Sequence, residues 1–180
     1  MRFLIGVFAV LFSVVSASGD DKLTTAILSI DADVVFMRHA LAPGFGDPAN
    51  FELENCATQR NLDSVGREQA MNIGAQMRRS TTSFTEVLSS EWCRCKETAK
   101  LLGLGPSAPF SGLNSFFQDF ADKDFVLEKL EQKLSQLDPG VTLMVTHQVV
   151  ISSVTGQATG SGEFIAFNTR TKDARKFRLD

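Results

Sequence analysis

Val34-Val35-Phe36-Met37 is an unbroken apolar run that stops at Arg38-His39. A short run without polar alternation reads as a strand buried on both faces. The pattern returns far along the chain in residues 141–146, which end at His147-Gln148. These are the chain's two histidines, and each follows an apolar strand. In open α/β sheets such strand ends are where ligands bind. Glu86-Val87-Leu88-Ser89 reads as a shorter strand, residues 163–168 as a further one, and residues 174–179 as an edge strand.

Helical spacing fills the intervals. Residues 22–30 are weakly amphipathic and suit a helix beside the sheet. Asp63 is placed to cap a helix over 64–79, with Val65, Ala70, Ile73 and Met77 as its apolar stripe. A helix opens at Ser90 or Glu91 and runs to Leu102, with Gly103 as its stop. Val126, Leu130, Leu134 and Leu137 step at helical spacing over 123–137, and Asp138-Pro139-Gly140 ends that helix. A short helix follows His147 over 148–155. Residues 41–61 and 105–119 carry no clear period and read as loops; long loops in a compact domain are usually functional. In the second, Phe110, Phe116 and Phe117 either wall a pocket or fill the core. Strands alternating with helices predict an α/β class, a three-layer α/β/α sandwich with a mostly parallel central sheet. The length suits one domain, residues 18–180, and no internal repeat is present.

The N-terminus changes the picture of where the protein works. Met1-Arg2, the apolar stretch over 3–15 and the small residues Ser16-Ala17 read as a signal peptide, residues 1–17. The stretch is short for a membrane span, so no span is expected after cleavage. A periplasmic or secreted location follows. Net charge is −3, and no long basic run exists, which argues against nucleic acid as a partner. Export permits a disulfide among Cys56, Cys93 and Cys95. Cys93 and Cys95 are too close to pair on one helical turn, so Cys56 is expected to bridge one of them and leave the other free. A metal set of these cysteines and a histidine lacks CxxC spacing, and no nearby base is nominated for a cysteine nucleophile.

Parallel strands would bring Arg38, His39, His147 and the start of the helix that carries Arg94 to one sheet edge. Arg60 lies just before the first long helix. Guanidinium forks match phosphate oxygens, and neighbouring arginines disfavour an imidazolium. A neutral histidine in such a pocket can attack phosphorus while the cations stabilise the equatorial oxygens. A lone histidine after a strand is ordinarily a capped or core residue. For Arg60, an ion pair to the long loop is as simple as a place at the pocket rim.

Four segments resemble the histidine phosphatase superfamily (phosphoglycerate mutase-like). Met37-Arg38-His39-Ala40 resembles its Arg-His-Gly signature, with Ala for Gly. Arg60-Asn61-Leu62-Asp63-Ser64-Val65-Gly66-Arg67-Glu68-Gln69-Ala70 resembles its RxLTxxGxxQA segment. Ser89-Ser90-Glu91-Trp92-Cys93-Arg94-Cys95-Lys96-Glu97-Thr98-Ala99 resembles its SSxxxRAxxTA segment, with Cys95 for Ala. Val145-Thr146-His147 resembles its late strand and second histidine. The resemblance implies His39 as the residue that becomes phosphohistidine, Arg38, Arg94 and His147 as its phosphate pocket, and Arg60 at the rim. It implies no metal and no cofactor.

The departures concern the general acid. Gln148 follows His147, and Leu113-Asn114-Ser115 offers no carboxyl where one is sought. Asp119 is the nearest candidate acid, with Asp47, Glu52 and Glu54 as others. The chain carries no inserted cap domain, so an open site and hydrolysis are expected over mutase chemistry. The expected function is a metal-independent phosphomonoesterase for a small-molecule or glycan phosphoester: a sugar phosphate, an envelope glycan or another small phosphoester. The alternatives are a non-catalytic phosphate- or phosphoglycan-binding module and a phosphohistidine-protein phosphatase.

Overall fold

The computed structural model describes residues 21–179; the segment read as a signal peptide lies outside them. Six strands are formed: β1 (Val34–Arg38), β2 (Glu86–Ser89), β3 (Ala108–Pro109), β4 (Thr142–Thr146), β5 (Phe164–Phe167) and β6 (Ala174–Phe177). They make one sheet in the order β3-β2-β4-β1-β5-β6. β4 pairs parallel with both β1 and β2, and β3 pairs parallel with β2. β5 runs antiparallel to its neighbours β1 and β6. The sheet is mostly parallel, with one reversed strand.

Period-two alternation sorts the strand residues between two helical layers. Val35, Met37, Val87, Leu143, Val145, Phe164 and Ala166 face one core. It is closed by α1 (Lys22–Leu28), α2 (Ser64–Met77) and α3 (Cys93–Leu102). Val34, Phe36, Leu88, Met144, Ile165 and Phe167 face the other, under α4 (Lys123–Leu134) and α5 (Gln148–Thr155). Both faces are covered, which is why the strands read as continuous apolar runs. The expected α/β/α sandwich is the observed architecture. No helix among the described residues is long and apolar enough to cross a membrane.

Several element ends differ from the pattern. α3 starts at Cys93, not at Ser90 or Glu91, because the Ser90 backbone N–H still donates to Val145 O of β4 at 2.9 Å. Val65 is 57% exposed, so it is not on the stripe of α2. The buried face is Gly66, Ala70, Ile73, Gly74 and Met77. α2 ends at Met77 and α4 at Leu134, though Leu137 still packs against the second core. Residues 105–119 include β3 and 3-10 turns at Ser111–Leu113 and Phe117–Asp119. Phe110 and Phe116 pack against the second core, whereas Phe117 is 39% exposed.

The segment from Arg60 to Ala70 has a local physical account. Asp63 caps α2 by accepting from Gly66 N at 2.8 Å. Gly66 lies against the chain that leaves β1: a Cβ there would stand 1.9 Å from Leu41 O. Gln69 accepts from Leu41 N at 2.8 Å, and Ala70 is fully buried. This helix therefore clamps the residues that follow His39. On propensity alone Gly66→Ala would stabilise an exposed helix by about 1 kcal/mol. Here it is expected to destabilise the protein by about 1–3 kcal/mol, because backbone must move. Urea denaturation of the variant checks the sign.

Candidate active site

Register brings the two histidines together. Arg38 pairs with Thr146 across β1 and β4, and His39 N donates to Thr146 O at 3.0 Å. His39 and His147 thus leave adjacent strands at one level, with ring centroids 5.4 Å apart. Ser90 leaves β2 beside them, and Arg94 sits in the first turn of α3. A cavity of about 260 Å³ opens here. Arg38, His39, Arg60, Arg94 and His147 all line it, so the structure brings together five of the six expected site residues.

Arg94 is the hub. Its Nε donates to His39 Nε2 at 3.2 Å, and one terminal nitrogen approaches His147 Nδ1 at 3.4 Å. Its two terminal nitrogens grip Asp47 Oδ1 and Oδ2 at 2.8 and 3.1 Å. The pair is buried, with side-chain exposures of 3% and 5%. Asp47 Oδ1 also accepts from Arg60 N at 2.9 Å and Oδ2 from the Trp92 indole at 3.1 Å. Burial pushes the Asp47 carboxyl up, but the hydrogen bonds and charge of Arg94 outweigh it and hold the group below the usual carboxylate range. Asp47 was one of the candidate acids; ionised and gripped on both oxygens, it instead orients the arginine.

His39 Nδ1 lies 2.7 Å from Ala40 O, and since a carbonyl only accepts, Nδ1 carries the proton. Nε2 is left with its lone pair on the Arg94 side. Burial, then Arg94, lowers the His39 pKa well below its ordinary value of 6.5, against the raising effect of Ala40 O. His147 is lowered likewise, by burial first and then by Arg94 and His39. Its Nε2 is 3.0 Å from Ser90 Oγ, whose hydroxyl donates to Asn114 Oδ1 at 3.1 Å. His147 Nε2 therefore donates to Ser90, and Nδ1 turns to Arg94. Ser90, read from the sequence as a helix start and as part of the Ser89-to-Ala99 motif segment, holds the His147 ring. The preceding strand was its signal, since a residue just past a strand end can face the site.

Arg38 donates to Thr159 O at 2.7 Å and Gln148 Oε1 at 3.2 Å, and its buried Nε has no hydrogen-bond partner. Arg60 Nε donates to Gly46 O at 2.7 Å, and a terminal nitrogen donates to Ala42 O. It lines the cavity and ties the long loop through carbonyls rather than through an ion pair. Thr98 Oγ1 accepts from Ala40 N at 3.1 Å, so α3 also fixes the turn after His39.

Asp119, the first candidate acid, is exposed and does not line this cavity; it lies at a separate surface hollow with Asp122 and Asp124. The turn at Phe117–Asp119 directs Gln118 to the long loop, where it accepts from Asp47 N at 2.7 Å. Asp119 is thereby carried away from the histidines. Glu52 and Glu54 do not line the cavity either. Ser115 does, at the place where a carboxyl was sought.

Cys56 and Cys93 form a disulfide, and Cys95 is the free, buried thiol. The bridge joins the long loop to the residue preceding Arg94. Gln59 adds a second tie by accepting from Cys93 N at 2.9 Å. Burial pushes the Cys95 thiol up to about 12, which makes it a poor nucleophile. Among the described residues no group of three or more histidine, cysteine or acidic side chains is arranged to hold a metal ion.

No protein-family model and no curated protein matches the chain. Solved structures do. The protein histidine phosphatase SixA, complexed with tungstate, is 15% identical with a TM-score of 0.53, over 80% of this chain and 93% of that one. A protein of Escherichia coli K-12 provisionally assigned as an alpha-ribazole-5′-P phosphatase is 20% identical with a TM-score of 0.56, over 82% and 95%. A mycobacterial glucosyl-3-phosphoglycerate phosphatase is 13% identical with a TM-score of 0.53, over 79% and 95%. The chain shares their phosphoglycerate mutase-like fold.

Three arginines against one carboxylate leave the cavity with an excess of positive charge and planar donors, beside two neutral imidazoles. Asp47→Asn leaves Arg94 buried without its counter-charge and is expected to cost about 3–5 kcal/mol in urea denaturation. The histidines set a pH dependence. Each takes up a proton near pH 6.5 when unfolded, but only at much lower pH when folded. Stability is then unaffected by them above about pH 6.5, the unfolded value, and falls below it, by up to about 1.4 kcal/mol per histidine per pH unit. Urea midpoints measured from about pH 7 to pH 5 should fall, and fall less steeply in His147→Gln.

Proposed function

We propose that this protein is a phosphomonoesterase of the histidine phosphatase superfamily, acting through phosphohistidine on His39. The observation that carries the proposal is the state of His39. Its Nδ1 proton is held by Ala40 O, its Nε2 keeps a lone pair, and burial with Arg94 keeps it neutral beside the cavity. An imidazole so oriented is a nucleophile needing no base. Arg38, Arg94 and neutral His147 are assigned to the phosphate pocket and Arg60 to its rim, where the guanidinium charges would stabilise the transition-state charge. Attack by Nε2 forms the N–P bond as the ester P–O bond breaks. Water then displaces the histidine and releases phosphate.

The fold shared with structures named as phosphatases supports the same reaction class. The charge is supplied by guanidinium groups, so the mechanism uses no metal. Substrates are phosphorylated small molecules or glycans. The Cys56–Cys93 disulfide supports an exported, periplasmic or secreted protein. Among the described residues no free carboxyl lines the cavity, which favours one other reading, a binding module for phosphate or phosphoglycans.

The test is turnover of 4-nitrophenyl phosphate with chelator present, beside His39→Ala. Activity should persist in chelator and fall at least about a thousandfold in the variant. Rapid acid-free quenching should trap an acid-labile phosphoryl group on the wild type alone. Loss of activity in chelator would contradict the metal-free mechanism. Tungstate binding without turnover would favour the binding module.

A further inference from the structure

Two features of the cavity remain after its phosphoryl pocket is accounted for. The first is the mouth. Phe45, on the long loop, is 89% exposed and meets Phe117 edge-on at 5.2 Å between ring centroids. Both line the cavity, with Val149 beside them. An aromatic side chain this exposed is ordinarily unfavourable, and here it is held in place. Gly44 and Gly46 flank it at φ of +93° and +68°. Gln118 locks the two segments by accepting from Asp47 N at 2.7 Å and donating to Asp47 O at 3.3 Å. The arrangement presents an apolar corner, two rings at 84° to one another, on the cavity that the arginines also line.

The second feature concerns how a leaving group departs. Among the described residues lining the cavity, Asp47 is the one carboxylate, and both its oxygens are taken by Arg94. Glu91, just past the end of β2, does not line the cavity and accepts from Asn114. Ser115 occupies the wall where an acid was sought. A leaving oxygen therefore receives no proton from a carboxylic acid. An alkanol oxygen ionises about as reluctantly as water, far less readily than a phenol, which ionises near 10. General acid assistance is worth about 10²–10⁴ in rate, so its absence discriminates strongly between the two.

Resting on the phosphatase mechanism above, we infer that the substrate class is an aryl phosphate, with its ring packed on Phe45 and Phe117. The ring satisfies both features at once: it stacks on the mouth, and its oxygen leaves unaided. His39 Nε2 donates its lone pair to phosphorus as the P–O(aryl) bond breaks. The bonding pair departs on the phenolate oxygen, which takes a proton from water. A second water then attacks phosphorus, its proton goes to solvent, and neutral His39 is restored. Such a ring reaches the site either as a free aryl phosphate or as a phosphotyrosine side chain, and the open mouth admits both.

The test compares kcat/KM for phenyl phosphate, 4-nitrophenyl phosphate, phosphotyrosine, a phosphotyrosine peptide, glycerol phosphate and glucose 6-phosphate. Phenyl phosphate should exceed the alkyl esters by at least about a hundredfold. Phe45→Ala and Phe117→Ala should each raise KM for phenyl phosphate about two- to tenfold. The inhibition constant of inorganic phosphate, which reports on the arginine pocket, should move less than about twofold in the same variants. A peptide preferred over free phosphotyrosine would identify the source as a protein side chain, and the reverse a small molecule; either supports the aryl class. Alkyl esters turned over within about tenfold of phenyl phosphate, or an unchanged KM in both phenylalanine variants, would overturn it. If His39 is still trapped as phosphohistidine in that event, the phosphatase mechanism stands without the aryl specificity. No turnover of any ester and no trapping would overturn both.

Discussion

The ion pair between Arg94 and Asp47 is the interaction on which the site depends. Taking two charges out of water is expensive, and a buried pair survives only when its remaining polar atoms are also satisfied. Here they are. Arg94 spends its donors on His39, His147, Arg60 O and both oxygens of Asp47, and Asp47 accepts in addition from Arg60 N and Trp92 Nε1. One arginine thereby links the loop after β1, the start of α3 and the two strand ends. The same contact settles two protonation questions. The cation keeps Asp47 ionised and helps keep both imidazoles neutral.

A site of this kind works by holding its donors before the substrate arrives. The long loop has little regular structure of its own, and its order comes from cross-links. The Cys56–Cys93 bridge and the Gln59 cap anchor it to the N-terminus of α3. Arg60 bonds the carbonyls of Ala42 and Gly46, and Gln118 secures Asp47 from the other side. The loop can then present Phe45 to solvent at the cavity mouth without loss of position. Polar pocket and apolar rim are two ends of one braced segment.

Much of this was legible in the chain. The apolar runs Val34–Met37 and 141–146 read as strands covered on both faces, and their residues divide between the two cores in alternation. Asp63 and Gly103 marked helix ends by side-chain and backbone chemistry that acts locally. The order of the four motif segments, with parallel pairing, brought Arg38, His39, Arg94 and His147 to one cavity. Less was legible where distant partners decide. Val65 looked apolar enough for a stripe, but α2 packs through Gly66, Ala70, Ile73, Gly74 and Met77, which leaves Val65 facing outward. Ser90 looked like a helix start, but the sheet claims its backbone and His147 its hydroxyl.

The sequence by itself determined the class of fold, the strand ends that meet and the cluster of arginines and histidines they offer. Those follow from periodicity and from residue types at strand termini, which are local properties. Tertiary structure alone decided which acid lies where. Asp47 and Asp119 are equivalent in the sequence, each an aspartate in a loop. One is drawn inward by Arg94, Trp92 and the Arg60 backbone, and the other is carried outward by the turn that sends Gln118 to the loop. It also decided that Cys93, not Cys95, meets Cys56, since their neighbouring positions on α3 point to the loop and to His147 respectively. A loop's side chains acquire their roles from partners far along the chain, and no local pattern encodes that pairing.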